Sequence, residues 1–161
     1  MTNKTICLNR SVLEFMDRII EPDSWVLEIG GGWSSRWFAD RCGSLTIVET
    51  HPKWQRTIRR ELNGNTCNWY VSPDFATIQR FRGFDLALVD CAPKLRDEGA
   101  SFALERLLVG GWLLFDDAQR SEHAATVTWI ENMLGAGIML FWQEGDIETA
   151  RERITLAWQK T

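Results

Sequence analysis

The chain has 161 residues and a mass of 18.6 kDa, the size of one ordinary globular domain, so we predict a single domain over residues 1–161. Its 45% hydrophobic and 25% charged residues exclude a disordered or low-complexity chain. The net charge of -4 argues against a protein that coats nucleic acid or an anionic membrane, because phosphate contacts need a basic surface.

Cysteines and apolar runs indicate where the protein works. The 4 cysteines form no C-x-x-C pair and only 2 histidines are present, so a structural zinc site lacks its ligand spacing. No apolar run approaches the ~20 residues of a membrane span, and the chain does not open on a leader-like pattern. We therefore expect a cytoplasmic protein with reduced thiols and no membrane contact.

Strand and helix patterns alternate along the chain. Apolar residues recur at helical spacing in an opening helix over residues 6–20, just before Pro22. Five apolar runs then predict strands, over residues 25–29, 45–49, 68–71, 84–90 and 112–115. Helical patterns follow them, beginning at Ser34, Pro52, Ser72, Ser101 and Ser121; the last two cover residues 101–109 and 121–134.

The end of the chain has a different pattern. Residues 138–142 and 154–158 predict two strands, and the polar segment 143–153 between them is too short for a confident crossover helix. They are expected to form an antiparallel pair. Strand and helix alternation followed by a hairpin predicts an α/β fold, with a mostly parallel sheet covered by helices on both faces.

Acidic residues close four of the predicted strands. They are Glu28, Glu49, Asp90 and the pair Asp116 and Asp117. Ligands of parallel sheets bind outside the carboxyl ends of the strands, so these acids either form a site there or simply cap helices. Glu28 favours a site, because a carboxylate inside an apolar strand needs a cationic or hydrogen-bonding partner, which a ligand's ammonium group would supply.

A glycine turn follows the first strand. Gly30, Gly31 and Gly32 let the backbone approach a ligand closely, and the next helix begins there. Glu49 lies 19 residues after Gly30 in the sequence. In nucleotide-binding βαβ units, an acid about 20 residues after the glycine turn accepts hydrogen bonds from ribose hydroxyls, so we predict an adenosyl ligand. A nicotinamide cofactor is the weaker alternative, because Ser35 stands where the dinucleotide fingerprint needs its third glycine.

Residues 26–32, Val-Leu-Glu-Ile-Gly-Gly-Gly, resemble the E-x-G-x-G motif of the class I S-adenosylmethionine-dependent methyltransferases. Residues 47–49, 84–90 and 110–117 resemble that family's ribose-binding acid, fourth strand and fifth strand. The resemblance implies a Rossmann-like, doubly wound, mostly parallel sheet of about seven strands with a C-terminal antiparallel hairpin. It also implies S-adenosylmethionine as the cofactor.

The resemblance also assigns cofactor-binding residues. Glu28 would lie near the methionine end of the cofactor and Glu49 would hold the ribose. The other implied contacts are Gly30, Gly31, Gly32, Ser34, Ser72 and Asp90. Ser72 and Asp74 stand where adenine contacts often occur in the family, and their alternative interpretation is as helix caps.

Methyl transfer requires an aligned acceptor and often the removal of its proton. Asp90, Asp117 and His123 are the candidate catalytic residues, although a histidine at this position is alternatively a solvated helix residue. The spacing from Asp90 to Asp116 and Asp117 also resembles magnesium-dependent small-molecule O-methyltransferases, in which acids at these strand ends hold Mg²⁺. That family usually has Asp-Asn at the fifth strand, where this chain has Asp-Asp.

Two arginines lie close to these acids in the sequence. Arg96 and Arg120 either meet an anionic group of the acceptor or pair with the neighbouring aspartates. Both interpretations stay open at this point.

The resemblance implies O-methylation of a small-molecule or carbohydrate-like acceptor. DNA is not an expected substrate, because residues 90–93, Asp-Cys-Ala-Pro, lack the second proline and the aromatic residue of the amino-methyltransferase signature. The alternative is a non-catalytic S-adenosylmethionine-binding subunit that supports a partner protein. No long insertion builds a lid, so either the substrate is large, or a second copy or partner subunit closes the site, with Trp33 on that surface.

Overall fold

The computed structural model describes residues 6, 8–81, 83–141 and 153–161, and a seven-stranded sheet crosses them. The strands are β1 (Trp25–Ile29), β2 (Ser44–Val48), β3 (Asn68–Ser72), β4 (Phe84–Val89), β5 (Leu107–Phe115), β6 (Ile138–Phe141) and β7 (Ile154–Gln159). The α-helices are α1 (Arg10–Ile19), α2 (Ser34–Ala39), α3 (Pro52–Leu62), α4 (Pro93–Arg106) and α5 (Ala124–Leu134).

The sheet order is β3-β2-β1-β4-β5-β7-β6. Strands β1 to β5 pair in parallel, and β7 runs antiparallel to both β5 and β6. The predicted Rossmann-like fold and its terminal antiparallel pair are therefore confirmed. Trp142 and residues 143–152, which the sequence assigns to the end of the sixth strand and its connection, lie outside the described residues.

The strands alternate between two hydrophobic cores, one on each face of the sheet. Val26 packs with α1, α2 and α3, whereas Leu27 and Ile29 pack with α4 and α5. Helices thus cover both faces, as parallel strands buried on both sides require. Within the described residues, no helix has the length and apolar character needed to cross a membrane.

The predicted helix over residues 101–109 is wrong at both ends. Pro93 occupies the first turn of α4, which suits the fixed backbone angle of proline, so the helix begins earlier than predicted. It ends at Arg106 because Leu107 already pairs with Phe84 in the sheet. Gly110, which has a φ of 86°, then lies inside β5 where the register with β4 shifts.

Two other helix predictions need correction. The opening helix begins at Arg10 rather than at residue 6, because the Asn9 side chain accepts the Val12 N–H at 2.8 Å and caps it. The helical turn expected after the third strand is a 3₁₀ turn at Ala76–Ile78. The 3₁₀ turn Ser121–His123 leads into α5, so the predicted helix over 121–134 is otherwise confirmed.

Candidate functional site

A cavity of about 440 Å³ lies at the carboxyl ends of β1, β2 and β4. Its wall also includes the first turns of α3 and α4. The sheet order reverses between β1 and β4, and this is the position at which doubly wound sheets bind their ligands. The volume falls within the range of small-molecule and cofactor sites.

Glu49 lies on the cavity wall, directly after β2. The His51 N–H donates to its Oε1 at 2.6 Å, and the Gln55 side chain donates to its carbonyl oxygen at 2.6 Å. Burial raises the pKa of Glu49, while the His51 N–H favours the ionised form. The carboxylate is therefore oriented before any ligand arrives.

Gly30 and Gly31 line the cavity, but neighbouring protein atoms explain their small size. Gly30 has a φ of 94°, and a Cβ there would collide with the backbone of Asp90. A Cβ on Gly31 would meet Ile47 and Ile58. The sequence predicted close ligand approach as the reason for these glycines, whereas the structure requires them for packing at the end of β1.

Glu28 is fully buried and does not line the cavity. The hydroxyls of Ser34 and Ser35 donate to its two carboxylate oxygens at 2.5 Å each. These hydroxyls are the partners for which the sequence proposed a ligand's ammonium group. Burial raises the pKa of Glu28 to about 8, against the opposing effect of both hydroxyls.

The two serines at the start of α2 do not cap this helix. Ser34 begins α2 and Trp33 occupies the N-cap position without a capping side-chain bond. Ser34 is therefore a partner of Glu28, and neither it nor Gly32 lines the cavity. A Cβ at Gly32 would meet open space.

The residues at the end of β3 and just after it differ in whether they line the cavity. Ser72 is buried away from the cavity and its hydroxyl donates to the Asp74 carbonyl at 2.7 Å. Asp74 accepts the Thr77 N–H at 2.8 Å, so the capping interpretation holds for this pair. Phe75, the next residue, lines the cavity instead.

Asp90 lies on the opposite part of the cavity wall, after β4, with 27% of its side chain exposed. Arg96 Nη2 contacts its Oδ1 at 3.1 Å. Burial and the nearby Asp116 raise the pKa of Asp90 to about 7, and the Arg96 charge offsets only part of this increase. The carboxyl group therefore exchanges a proton near neutral pH.

The two acids after β5 have different partners. Asp116 is buried and accepts a hydrogen bond from the Thr155 hydroxyl at 2.6 Å, and its burial raises its pKa. Asp117 has a φ of 56° and contacts Arg120 at 2.6 Å and Arg153 at 3.8 Å. Neither acid lines the cavity.

The structure does not support the predicted magnesium site. Across the part of the chain that the structure describes, no three acidic, cysteine or histidine side chains converge as metal ligands. The guanidinium group of Arg96 contacts both Asp90 and Asp117, so a positive charge of the chain itself already joins these acids. Asp116 is bound by Thr155.

His123 is 2% exposed, so the expectation of a solvated helix histidine is wrong. Its ring meets the edge of Phe115 with centroids 5.5 Å apart, and its Nε2 has no hydrogen-bond partner among the described residues. Burial and the Arg96 charge lower its pKa. His123 does not line the cavity.

Other wall residues escaped the sequence analysis. Trp54 in α3 is 37% exposed, lines the cavity and packs edge-on against Trp33, with ring centroids 5.6 Å apart. His51 and Lys94 also line the wall. Their position in the sequence could have identified them, because all of these residues follow the carboxyl ends of strands within a few residues.

Comparisons with known proteins are consistent with this geometry. A family described as "Methyltransferase domain" matches residues 27–118, more than half of the chain. No curated protein matches the chain.

Solved structures share the fold at low sequence identity. An rRNA methylase from Streptococcus thermophilus is 14% identical, with 97% of this chain and 100% of that chain covered and a TM-score of 0.73. The O-methyltransferase TomG from Streptomyces achromogenes, solved with S-adenosylmethionine, is 18% identical over 100% and 84% of the two chains, with a TM-score of 0.70. An O-methyltransferase from Bacillus cereus, solved with S-adenosylhomocysteine, is 16% identical over 93% and 80%, with a TM-score of 0.70.

The family match includes the end of β1, the cavity wall and the acids after β5, and the solved structures share the sheet around them. The predicted resemblance to the class I S-adenosylmethionine-dependent methyltransferases is therefore confirmed, and the chain belongs to the methyltransferase domain family.

Proposed function

We propose that this protein transfers the methyl group of S-adenosylmethionine to a hydroxyl oxygen of a small-molecule or carbohydrate-like acceptor. The observation that carries the proposal is the placement of Glu49 and Asp90 on one cavity wall, at the end of β2 and the end of β4. Glu49 is the acceptor for ribose hydroxyls, and Asp90 is the base for the methyl acceptor.

The cavity wall suits an adenosyl group. The Glu49 carboxylate accepts hydrogen bonds, and its Oε1 is already fixed by the His51 N–H. The aromatic faces of Trp54 and Phe75 supply apolar surface for a base. When bound, S-adenosylmethionine supplies a methyl group on a positively charged sulfur, and methyl transfer leaves that sulfur neutral.

Asp90 performs the proton step in this proposal. As the acceptor oxygen bonds to the methyl carbon, the methyl–sulfur bond breaks and the hydroxyl proton passes to the Asp90 carboxylate. A base works best when its pKa lies near the working pH, and the pKa of Asp90 is raised to about 7. Asp117, another predicted catalytic residue, adds to the increase in the pKa of Asp90, and neither Asp117 nor His123 lines the cavity.

The acceptor class follows from this step. A base of near-neutral pKa assists attack by a hydroxyl group more than attack by an amine, because a neutral amine is already a good nucleophile whereas a neutral hydroxyl oxygen is a weak one. The net charge of -4 also disfavours nucleic acid as the acceptor. The cytoplasmic location and the closure of the site by a second copy or partner subunit stay predictions.

Calorimetry with S-adenosylhomocysteine tests the binding half of the proposal. Wild-type protein should bind it and should not bind NAD, while Glu49→Gln should bind it about 10- to 100-fold more weakly, the usual range for a hydrogen bond to a charged group. The exposed Glu131→Gln serves as the matched control and should bind like wild type. A folded wild-type protein that binds NAD instead would refute the assignment.

Turnover tests the chemical half. Release of S-adenosylhomocysteine is measured with panels of phenols, sugars and hydroxy acids, each paired with its amine analogue. Asp90→Asn, measured at saturating S-adenosylmethionine, should lose hydroxyl methylation by about 100-fold or more, the usual contribution of a general base. Binding without turnover on any panel would favour the non-catalytic subunit, and amine turnover unaffected by Asp90→Asn would refute the oxygen acceptor.

A further inference from the structure

Arg96 makes several buried contacts at the carboxyl edge of the sheet. Only 4% of its side chain is exposed, and it projects from the first turns of α4. Its Nε donates to the Cys91 carbonyl at 2.8 Å and its Nη1 donates to the Asp116 carbonyl. Its Nη2 contacts the carboxylates of Asp90 at 3.1 Å and Asp117 at 3.5 Å.

The guanidinium therefore joins the ends of β4 and β5. It binds the backbone after both strands and a carboxylate from each. It also lies over the Phe115 ring at 5.7 Å, which limits its movement on that side. An arginine held on every side is not available to recognise an acceptor, so the pairing alternative of the sequence analysis is the one that the structure supports.

The position of this group matters because the sequence predicted a divalent cation there. A cation bound by Asp90 and Asp117 would have to displace the guanidinium from both carboxylates. A planar guanidinium group and a metal ion have the same effect on two neighbouring carboxylates. Each offsets the repulsion between the carboxylates and fixes their orientation.

We propose that Arg96 occupies the place predicted for the divalent cation and acts as a positioning residue, which fixes Asp90 on the cavity wall without a metal. Removal of this guanidinium takes away the cation that contacts both Asp90 and Asp117, but Asp117 keeps its contact with Arg120 at 2.6 Å. Removal of Arg120 as well should therefore leave hard carboxylate oxygens that bind a divalent cation, which the wild-type protein does not bind.

The experiment titrates the protein with MnCl₂ and follows the EPR signal of free Mn²⁺, which falls on binding. Mn²⁺ uses the same carboxylate ligands as Mg²⁺. Wild type should bind no Mn²⁺, and the double variant Arg96→Ala/Arg120→Ala should bind one Mn²⁺ per chain and lose it again when Asp117→Asn is added. Arg106→Ala, which removes another buried arginine from the same helix, should gain no binding.

Two results would overturn the proposal. The first is stoichiometric Mn²⁺ binding by wild type that Asp116→Asn abolishes, since the predicted metal site would then exist. The second is a folded Arg96→Ala/Arg120→Ala variant that gains no Mn²⁺ affinity. If this double variant does not fold, wild type and Arg96→Lys decide the question, because both retain a cation and neither should bind Mn²⁺.

Arg96→Lys tests the positioning role separately. Lysine keeps the charge but has a single ammonium group, so it cannot reproduce all the contacts of the planar guanidinium. Turnover should fall at least tenfold while the KM for S-adenosylmethionine stays the same, and an unchanged turnover would refute positioning. The turnover measurement rests on the proposed function, whereas the Mn²⁺ titration does not. Calorimetry with S-adenosylhomocysteine on the same proteins shows whether the proposed function alone has failed.

Discussion

Burial of Glu28 predicts an unusual dependence of stability on pH. The carboxyl group is fully buried and its pKa is raised from 4.5 to about 8 by the loss of water around it. The folded chain therefore holds a proton that the unfolded chain releases above pH 4.5. The resulting stability is complete below that pH and is lost as the pH rises toward 8.

The magnitude follows from the two pKa values. At about 1.4 kcal/mol per pKa unit, their difference is worth roughly 5 kcal/mol over the full range. Between pH 5 and pH 8 the loss should be about 3 to 4 kcal/mol. This is a large share of the free energy of unfolding of an ordinary domain, about 5 to 15 kcal/mol.

Glu28→Gln isolates this contribution. Glutamine has the shape of the protonated acid and can donate to one serine hydroxyl and accept from the other, so it should not lose stability at pH 5. Urea unfolding followed by tryptophan fluorescence gives the free energy of unfolding of both proteins at pH 5, 6.5 and 8. At pH 8 the variant should be the more stable protein by about 3 to 4 kcal/mol.

The exposed Glu131→Gln is the control and should follow the pH profile of wild type. Asp90 also contributes to that profile, because its pKa is raised and its charge adds to the increase in the pKa of Glu28, so the same comparison is repeated in an Asp90→Asn background. Profiles of wild type and Glu28→Gln that run parallel within about 1 kcal/mol would refute a proton held on Glu28.

Three further substitutions test the fold and the cavity. Gly30→Ala should destabilise the chain by about 3 kcal/mol or more in thermal unfolding, because its Cβ would collide with backbone, whereas Gly32→Ala should cost under about 1 kcal/mol. Trp54→Ala should weaken S-adenosylhomocysteine binding about tenfold, and Trp129→Ala, equally exposed on α5, should leave calorimetric affinity unchanged. Thr155→Val should lower stability by about 1 to 3 kcal/mol in urea, because a buried carboxylate loses its donor; an unchanged midpoint would contradict the bond.

Strands β1, β2 and β4 were predictable because they are buried on both faces and so consist of nearly continuous apolar runs, whereas the partly exposed β5 begins at Leu107 rather than at residue 112. β1, β2 and β4 differ from the predicted ranges by at most one residue. The C-terminal end of α4 was not predictable, because it depends on the pairing of Leu107 with a strand that lies far away in the sequence, whereas its start at Pro93 follows a local signal. Local periodicity carries no information on such a contact.

The site was predictable in position and less so in detail. Sequence placed Glu49 and Asp90 at the carboxyl edge, and both lie on the cavity wall. The sequence did not show which of these acids would line the cavity and which would point toward a helix. Side chains at successive strand positions point to opposite faces of the sheet, so acids at neighbouring positions have different surroundings. Glu28 pairs with Ile47 in the sheet and packs toward α2, which is why serine hydroxyls reach it and the cavity does not.

The acids at the carboxyl edge of the sheet differ in the groups that compensate their burial, and this difference favours Asp90 as the base. Glu28 is matched by two hydroxyls, and Asp116 by the hydroxyl of Thr155. Asp117 is matched by guanidinium groups on several sides. Asp90 has a guanidinium behind one oxygen and the cavity in front, so it is both held and accessible. A base must be fixed in position and still meet the acceptor, and among these acids Asp90 combines the two conditions.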